Sequence, residues 1–292
     1  MKFTLRQLQV FLAVARNENV TKAATQLAMS QSAASTSLKE FEQRFDVRLF
    51  DRIGKHLQLN ELGKQIRPKA EALLSQAEEF ELQLNQQDTV ARLKVGATLT
   101  IGNYLAIGII AKYMKKYPGS QVELLVENTV AIAQRIKNFE VDIGLIEGEL
   151  QDPDLELSQW RDDELTPFCS PQHPLAKLQQ LDDNHLTEIE WILREPGSGT
   201  RQAFDRAMGS LLSQLNIRLQ LQHTEGIKRA VEAGLGVGCL SRISLVDAFK
   251  RGSLVPLSAP GKNWNRKFYF ISHRNKFRSS AIKNWIELCQ SY

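Results

Sequence analysis

The sequence predicts an α/β chain in three parts: a small helical unit ending in a short hairpin, one long helix, and a two-lobed unit of alternating strands and helices. Three observations carry this. Residues 1–60 show helical apolar periodicity broken by tight turns, then a short ribbon of period two. From residue 61 to about residue 86 a single apolar stripe runs on at helical spacing. From Leu93 the pattern becomes strand–helix alternation, whose βαβ steps demand a parallel sheet with right-handed crossovers. A chain of 292 residues has room for two or three such units.

The chain opens Met1-Lys2-Phe3-Thr4-Leu5-Arg6 and continues as an amphipathic helix with Leu8, Phe11, Leu12 and Ala15 on one face. That is no signal peptide, and no apolar run approaches a membrane span, so the expectation is a cytoplasmic protein without a membrane partner. A second helix, from Thr21 to Ala28, sets Ala23, Ala24 and Leu27 on its inner face. It turns at Met29-Ser30 into a third, Gln31 to Phe45, whose inner face is Ala34, Leu38, Phe41 and Phe45. So tight a turn makes the two helices cross steeply, and the alanines let them approach. The outward face of the third helix carries Gln31, Ser32, Ser35, Thr36 and Lys39. Short donors and acceptors with one cation suit base edges and phosphates.

A hairpin follows: Arg48 to Arg52, a turn at Ile53-Gly54-Lys55-His56, then Leu57 to Leu59. Its tip gathers Arg52, Lys55 and His56. This is the layout of a winged helix-turn-helix, whose wing lies near phosphates. The expected DNA-contacting set is Thr21, Gln31, Ser32, Ser35, Thr36, Lys39, Arg52 and Lys55. Residues 1–60 hold nine Lys/Arg against five Asp/Glu, and residues 61–88 three against six. The first unit is therefore mildly basic, enough for a small footprint on double-stranded DNA.

Asn60 can cap the long helix, whose stripe is Leu62, Ile66, Leu73, Ala77, Phe80 and Leu84. Pro68 inside it should mark a bend. A wing cannot cover so long a stripe. The same helix of a second subunit is the expected partner, with packing on the following domain as the alternative. Polar Gln86-Gln87-Asp88-Thr89 reads as a hinge.

The order Leu5, Leu8, Phe11, Ala23-Ala24, Leu27, Ser30-Gln31-Ser32-Ala33, Ser35, Leu38, Leu49-Phe50-Asp51-Arg52 and Leu62-Gly63 resembles the LysR-type transcriptional regulators. Thr36 stands where many members have arginine, which changes the expected base reading, and Asp46 where many have glycine. Aspartate tolerates the left-handed conformation better than most residues. The resemblance covers the whole chain. It implies a regulator that binds an operator as a dimer or tetramer, with the long helix as the dimer linker.

The expected strands of the larger unit are Leu93 to Ala97, Val122 to Val126, Val141 to Ile146, Leu165 to Cys169, Trp191 to Leu193, Ile217 to Leu221, Gly236 to Leu240 and Phe268 to Ile271. The expected helices are Ile101 to Tyr117, Thr129 to Phe139, Thr200 to Leu212, Gly226 to Ala233, one through Ala248-Phe249, and Ser280 to Cys289. A late strand and helix, separated from the first set by a whole second set, predicts two lobes joined by two crossing strands. That is the layout of periplasmic binding proteins. The expected division is a winged helix-turn-helix at 1–60, linker and hinge at 61–88, and an effector domain at 89–292. Its lobe I would be 89–163 with 267–292, and its lobe II 164–266.

Ligands bind where strand carboxyl ends meet helix amino termini. Four such junctions stand out: Ala97 to Gly102 with Thr98 and Thr100; Ile146-Glu147-Gly148; Arg194 to Arg201 with Ser198, Gly199 and Thr200; and His223 to Gly226 with Glu225. At the third, glycines let N–H groups converge and a helix start favours an anion, although Ser198 or Thr200 could simply cap the helix. Arg194 or Arg201 could add charge, with one of them pointing outward. The expected effector set is Thr98, Thr100, Glu147, Arg194, Ser198, Gly199, Thr200 and Glu225. These stretches resemble a branch of the family that acts in sulfur metabolism, which implies sulfite or another sulfur oxyanion; a small carboxylate is the alternative. Glu147 and Glu225 would repel an anion unless paired with a cation.

No Gly-x-Ser-x-Gly elbow and no metal-ligand spacing occurs, so no catalytic residues, metal or cofactor are expected. Cys169, Cys239 and Cys289 read as buried reduced thiols. A transport-type solute binder is a third reading, opposed by the attached helix-turn-helix.

Overall fold

The computed structural model describes residues 1–54, 56–84 and 92–292, the side chains of Leu82 and Gln83 aside. Lys55 and the expected hinge Gln86 to Thr89 lie outside the described residues. The described chain forms two compact units, one carrying the first four helices and the hairpin, the other carrying the large sheet.

In the first unit α1 spans Leu5–Asn17, α2 Val20–Gln26 and α3 Gln31–Arg44. Thr4 and Gln7 form a reciprocal capping box on α1. Asn19 and Ser30 cap α2 and α3, so each helix starts where a side chain satisfies its first free N–H groups. Val10, Phe11, Val14, Ala23 and Ala34 are completely buried where the three helices meet. Phe45 does not join them. It follows the last turn of α3, remains 43% exposed, and meets Phe41 edge-on and Phe3 at a tilt. Asp46 adopts a left-handed φ of 52° just beyond. The hairpin pairs β1, Phe50–Ile53, with β2, His56–Leu59. The long helix α4 runs Glu61–Leu84 and includes Pro68. Its first turn lies against the chain entering β1. A Cβ on Gly63 would stand 2.2 Å from the Leu49 carbonyl oxygen, so only glycine fits. Arg16 of α1 pairs with the buried Glu71 of α4 at 2.7 Å.

The second unit begins with β3, Arg92–Thr98. Next comes α5, Leu99–Ile101, which continues through a π-helical turn at Gly102–Ala106 into α6, Ile107–Lys116. Then come β4 Gln121–Glu127, α7 Thr129–Lys137 and β5 Ile143–Glu147. The strand β6, Leu155–Cys169, is three times the expected length because residues 155–164 run along the last strand, all but Trp160 with a register partner. The second set is α8 Asp183–Glu188, β7 Glu190–Arg194, α9 Gly199–Met208, β8 Asn216–Leu221, α10 Thr224–Glu232, β9 Val237–Ser241, α11 Arg242–Arg251 and β10 Val255–Pro256. The helix expected to reach Leu212 stops at Met208, where Gly209 has φ 54° and a 3-10 turn takes over. The chain returns through β11, Asn265–His273, and ends in α12, Ser280–Gln290.

The strand order is β4-β3-β5-β11-β6-β9-β7-β8, with β10 on β6. β4, β3 and β5 are parallel and form one lobe; β7, β8 and β9 are parallel and form the other. β6 and β11 are the antiparallel strands that cross between them. Phe168, Trp191, Ile192 and Phe204 fill the second lobe, and Val95, Ile132, Leu145 and Ile146 the first. The three cysteines are free and buried.

Candidate functional site

Two surfaces carry the expected functional residues, one in each unit. In the first unit the tight turn between α2 and α3 places Ala28 at φ 52°, a conformation that L residues avoid, and Arg6 Nη2 braces it by donating to the Leu27 carbonyl at 2.9 Å. The bracing leaves one side of α3 free. Thr21, Gln31, Ser32, Ser35, Thr36 and Lys39 are all exposed, as is Arg52 on the hairpin. Ser32 Oγ is 3.1 Å from Ser30 Oγ, so part of its bonding capacity is local. The Leu57 N–H donates to the Glu18 carbonyl at 2.9 Å, tying the hairpin to the end of α1. An exposed polar helix with a fixed basic ribbon beside it is the equipment for reading a groove and gripping phosphates.

In the second unit the expected residues gather where β5 of one lobe meets α9 of the other, and the centre of the cluster is Glu147. Its carboxylate is 1% exposed and accepts four hydrogen bonds. Thr98 Oγ1 donates at 3.0 Å and the Thr100 N–H, at the start of α5, at 2.7 Å. From the other lobe Thr200 Oγ1 donates at 2.7 Å, and Arg266 Nη1 on the crossing strand β11 at 2.9 Å. Burial pushes this carboxyl upward, but the Arg266 charge and the bonds from Thr200 and Thr100 outweigh it and bring it to about 2. The threonines expected to face an external anion therefore bind the protein's own carboxylate.

Sequence reasoning misses Arg266 and its neighbour Asp163. They are register partners on the two crossing strands, and the Arg266 Nε donates to Asp163 Oδ2 at 2.6 Å. Ser241 Oγ donates to the other Asp163 oxygen at 2.8 Å. Arg266 Nη2 is buried and has no hydrogen-bond partner. Arg194 is equally buried but turns to its sequence neighbour, with Nε 2.8 Å from Glu195. Arg201 binds Asp205 at 2.7 Å. Ser198 caps α9, accepting from the Thr200 N–H at 3.2 Å. Gly199 lies against the Glu147 backbone, where a Cβ would come within 1.8 Å of the carbonyl oxygen.

Glu225 lies apart from this cluster. It accepts from Tyr104 Oη of the facing lobe at 2.6 Å and pairs with Lys228. Burial favours the neutral acid, yet the bonds from Lys228 and Tyr104 lower its pKa on balance. The Tyr104 hydroxyl is pushed up by burial and by Glu225. A cavity of about 400 Å³ opens between the lobes, lined by Leu99, Asn103, Glu127, Asn128, Glu195 and His223 among others. Glu147, Thr98, Thr100, Thr200 and Arg266 do not line it themselves; Leu99, between Thr98 and Thr100 in the chain, does. Asn128 Nδ2 donates to Glu195 across it at 3.2 Å. Among the described residues no His/Cys/Asp/Glu group is arranged to hold a metal ion, and no helix is long and apolar enough to cross a membrane.

Known proteins share both units. Residues 5–64 match the bacterial regulatory helix-turn-helix protein domain of the lysR family, and residues 86–292 match the LysR substrate binding domain. The chain is 40% identical to the HTH-type transcriptional regulator YeiE of Escherichia coli K12, over 99% of this chain and 98% of that one. A full-length OxyR variant from Pseudomonas aeruginosa has the same fold, with a TM-score of 0.76 and 23% identity over 99% of this chain and 95% of that one. The regulatory domain of CcmR from Synechocystis PCC6803, solved with 2-PG, aligns at a TM-score of 0.64 and 27% identity, covering 69% of this chain and 96% of that domain.

Proposed function

The chain belongs to the LysR family of bacterial helix-turn-helix regulators, and from that premise we propose how it works. It is a transcriptional regulator with an effector-binding domain, not an enzyme. As a dimer or tetramer in the cytoplasm it binds a double-stranded operator. Ser35, Thr36, Gln31 and Ser32 read base edges while Thr21, Lys39, Arg52 and Lys55 position the phosphates. Its activity answers to a small anion, sulfite or another sulfur oxyanion, taken up between the lobes at Thr98, Thr100, Ser198, Gly199 and Thr200. Arg194 and Glu225 act from the rim, through Glu195 and Tyr104.

One observation carries the effector reading. Glu147 already occupies the threonine hydroxyls and a helix start as an anion would, and beside it Arg266 Nη2 is a buried donor with nothing to bind. A site that holds one oxyanion group and has a donor to spare is equipped for a second. Titration calorimetry of sulfite, sulfate, phosphate and small carboxylates tests this, with a gel shift on operator DNA as the functional readout. Thr200→Ala should weaken sulfite binding about tenfold to a hundredfold. Ser210→Ala, on the exposed 3-10 turn of the second lobe, should not. Equal binding by both variants would place the effector elsewhere. The cavity volume favours a second reading, a small organic acid, because about 400 Å³ exceeds what a lone sulfite fills. Binding of carboxylates with no response to any oxyanion would select it.

A further inference from the structure

The buried cluster has an uneven charge count. Glu147 and Asp163 are both carboxylates, and both bind the one guanidinium of Arg266. All three are buried, so the cluster carries one negative charge more than it neutralises. Arg194, the next nearest cation, is committed to Glu195. The other ionisable groups around the cluster are the buried Cys239 near Arg266 and, on the wall of the neighbouring cavity, Glu127 and Glu195, each paired with an arginine, and His223. A bare dianion entering here would add its charge to an excess already buried, in surroundings where uncompensated charge is costly.

From this count we infer that the site takes a small oxyanion together with one proton, held between the oxyanion and Glu147, so that it selects oxyanions that keep a proton near neutral pH. The inference rests on the oxyanion reading above. Glu147 has four acceptor positions and all four are filled. The hydroxyl of Thr200 is the one that can turn away. Donating to the ligand instead, it frees one lone pair of Glu147 Oε2 for the ligand's own O–H. Arg266 Nη2 gives its unused N–H groups to the ligand's charged oxygens. Every donor then has an acceptor, and the added charge is a single one. Sulfite retains its last proton into the neutral range, whereas sulfate does not, so the carboxylate discriminates between two ions of similar size.

Calorimetry on the full-length protein, titrated with sodium sulfite and sodium sulfate in two buffers of different ionisation enthalpy, tests this. On the alkaline side of neutrality, sulfite binding should take up about one proton, and its affinity should fall about tenfold per pH unit. Sulfate should bind at least about tenfold more weakly than sulfite. Glu147→Gln removes the excess charge, so proton uptake should vanish and the gap between the two ions close. The proton count and the sulfite-to-sulfate ratio on the unmutated protein decide the matter even if this variant does not fold. Tight sulfite binding without proton uptake, or equal binding of sulfate, overturns the inference and leaves the oxyanion reading standing. Uptake that survives Glu147→Gln but disappears in His223→Gln moves the proton to the cavity wall and also overturns it. Absence of binding by either ion overturns both.

Discussion

Gly199 lies so close to Glu147 that a single added methyl group would fall 1.8 Å from the Glu147 carbonyl oxygen. The obstruction is backbone, which cannot turn aside as a side-chain tip would. Gly199→Ala should therefore part the lobes or displace α9, at a cost of about 1–3 kcal/mol. A lower melting temperature with loss of any effector-induced shift is expected. A variant with unchanged melting and response would show that the two backbones are free to separate.

The pH response of stability follows from the same carboxylate. The Arg266 charge and the hydrogen bonds from Thr200 and Thr100 bring the buried Glu147 carboxyl down from its ordinary 4.5 to about 2. A depressed pKa stabilises above the unfolded value, and the gain is lost as pH falls through the folded one. Stability should drop as pH falls from about 4.5 to about 2, because protonating Glu147 gives up its attraction to Arg266. Denaturant titrations across that window should show a shallower slope for Glu147→Gln. An identical slope would assign the acid sensitivity to other carboxylates.

On the proposed DNA face, Ser35→Ala should cost about 1–3 kcal/mol on a specific operator and little on random duplex. Arg52→Ala should weaken both and flatten the salt dependence. Gel shifts at several salt concentrations separate the two behaviours. If neither substitution alters affinity, the exposed face of α3 is not the reading face.

The linker helix leaves Leu73, Phe80 and Leu84 at 46%, 62% and 65% exposure within one chain. Those are seam positions of a helix expected to pair with its copy. Leu73→Glu with Phe80→Glu should yield monomers or aggregates in sedimentation, since the seam would bury unpaired charges. A dimer of unchanged mass would mean that subunits join mainly through another surface.

The helices of the first unit are legible because Ala23, Ala24 and Leu27, then Ala34, Leu38 and Phe41, recur at helical spacing on either side of the turn at Met29-Ser30. In the second unit, the strands and helix starts that bring Thr98, Glu147 and Thr200 together are also legible. Their partners are not. Arg161-Asp162-Asp163-Glu164 reads as a solvated charge run, and Arg266 lies 103 positions from Asp163. Only the antiparallel register of two distant strands makes them neighbours, and no local pattern encodes that. Arg194 misleads in the opposite sense: a cation beside a glycine-rich turn suggests a ligand contact, yet the adjacent Glu195 neutralises it. Thr98 and Thr200 read as partners of an external anion because one sequence cannot reveal that a carboxylate from β5 reaches them first.

The position of the Arg266–Asp163 pair has a mechanical consequence. Both residues sit on the strands that cross between the lobes, directly opposite each other. Any swing of one lobe about those strands leaves points on the axis nearly still and moves the rim most. The ion pair is therefore placed as a fulcrum, whereas Tyr104–Glu225 joins the lobes through two helical segments and not through the crossing strands. A displacement at Glu147 too small to break the central pair would be larger at that outer contact. Arg266 thus belongs both to the fulcrum and to the Glu147 cluster.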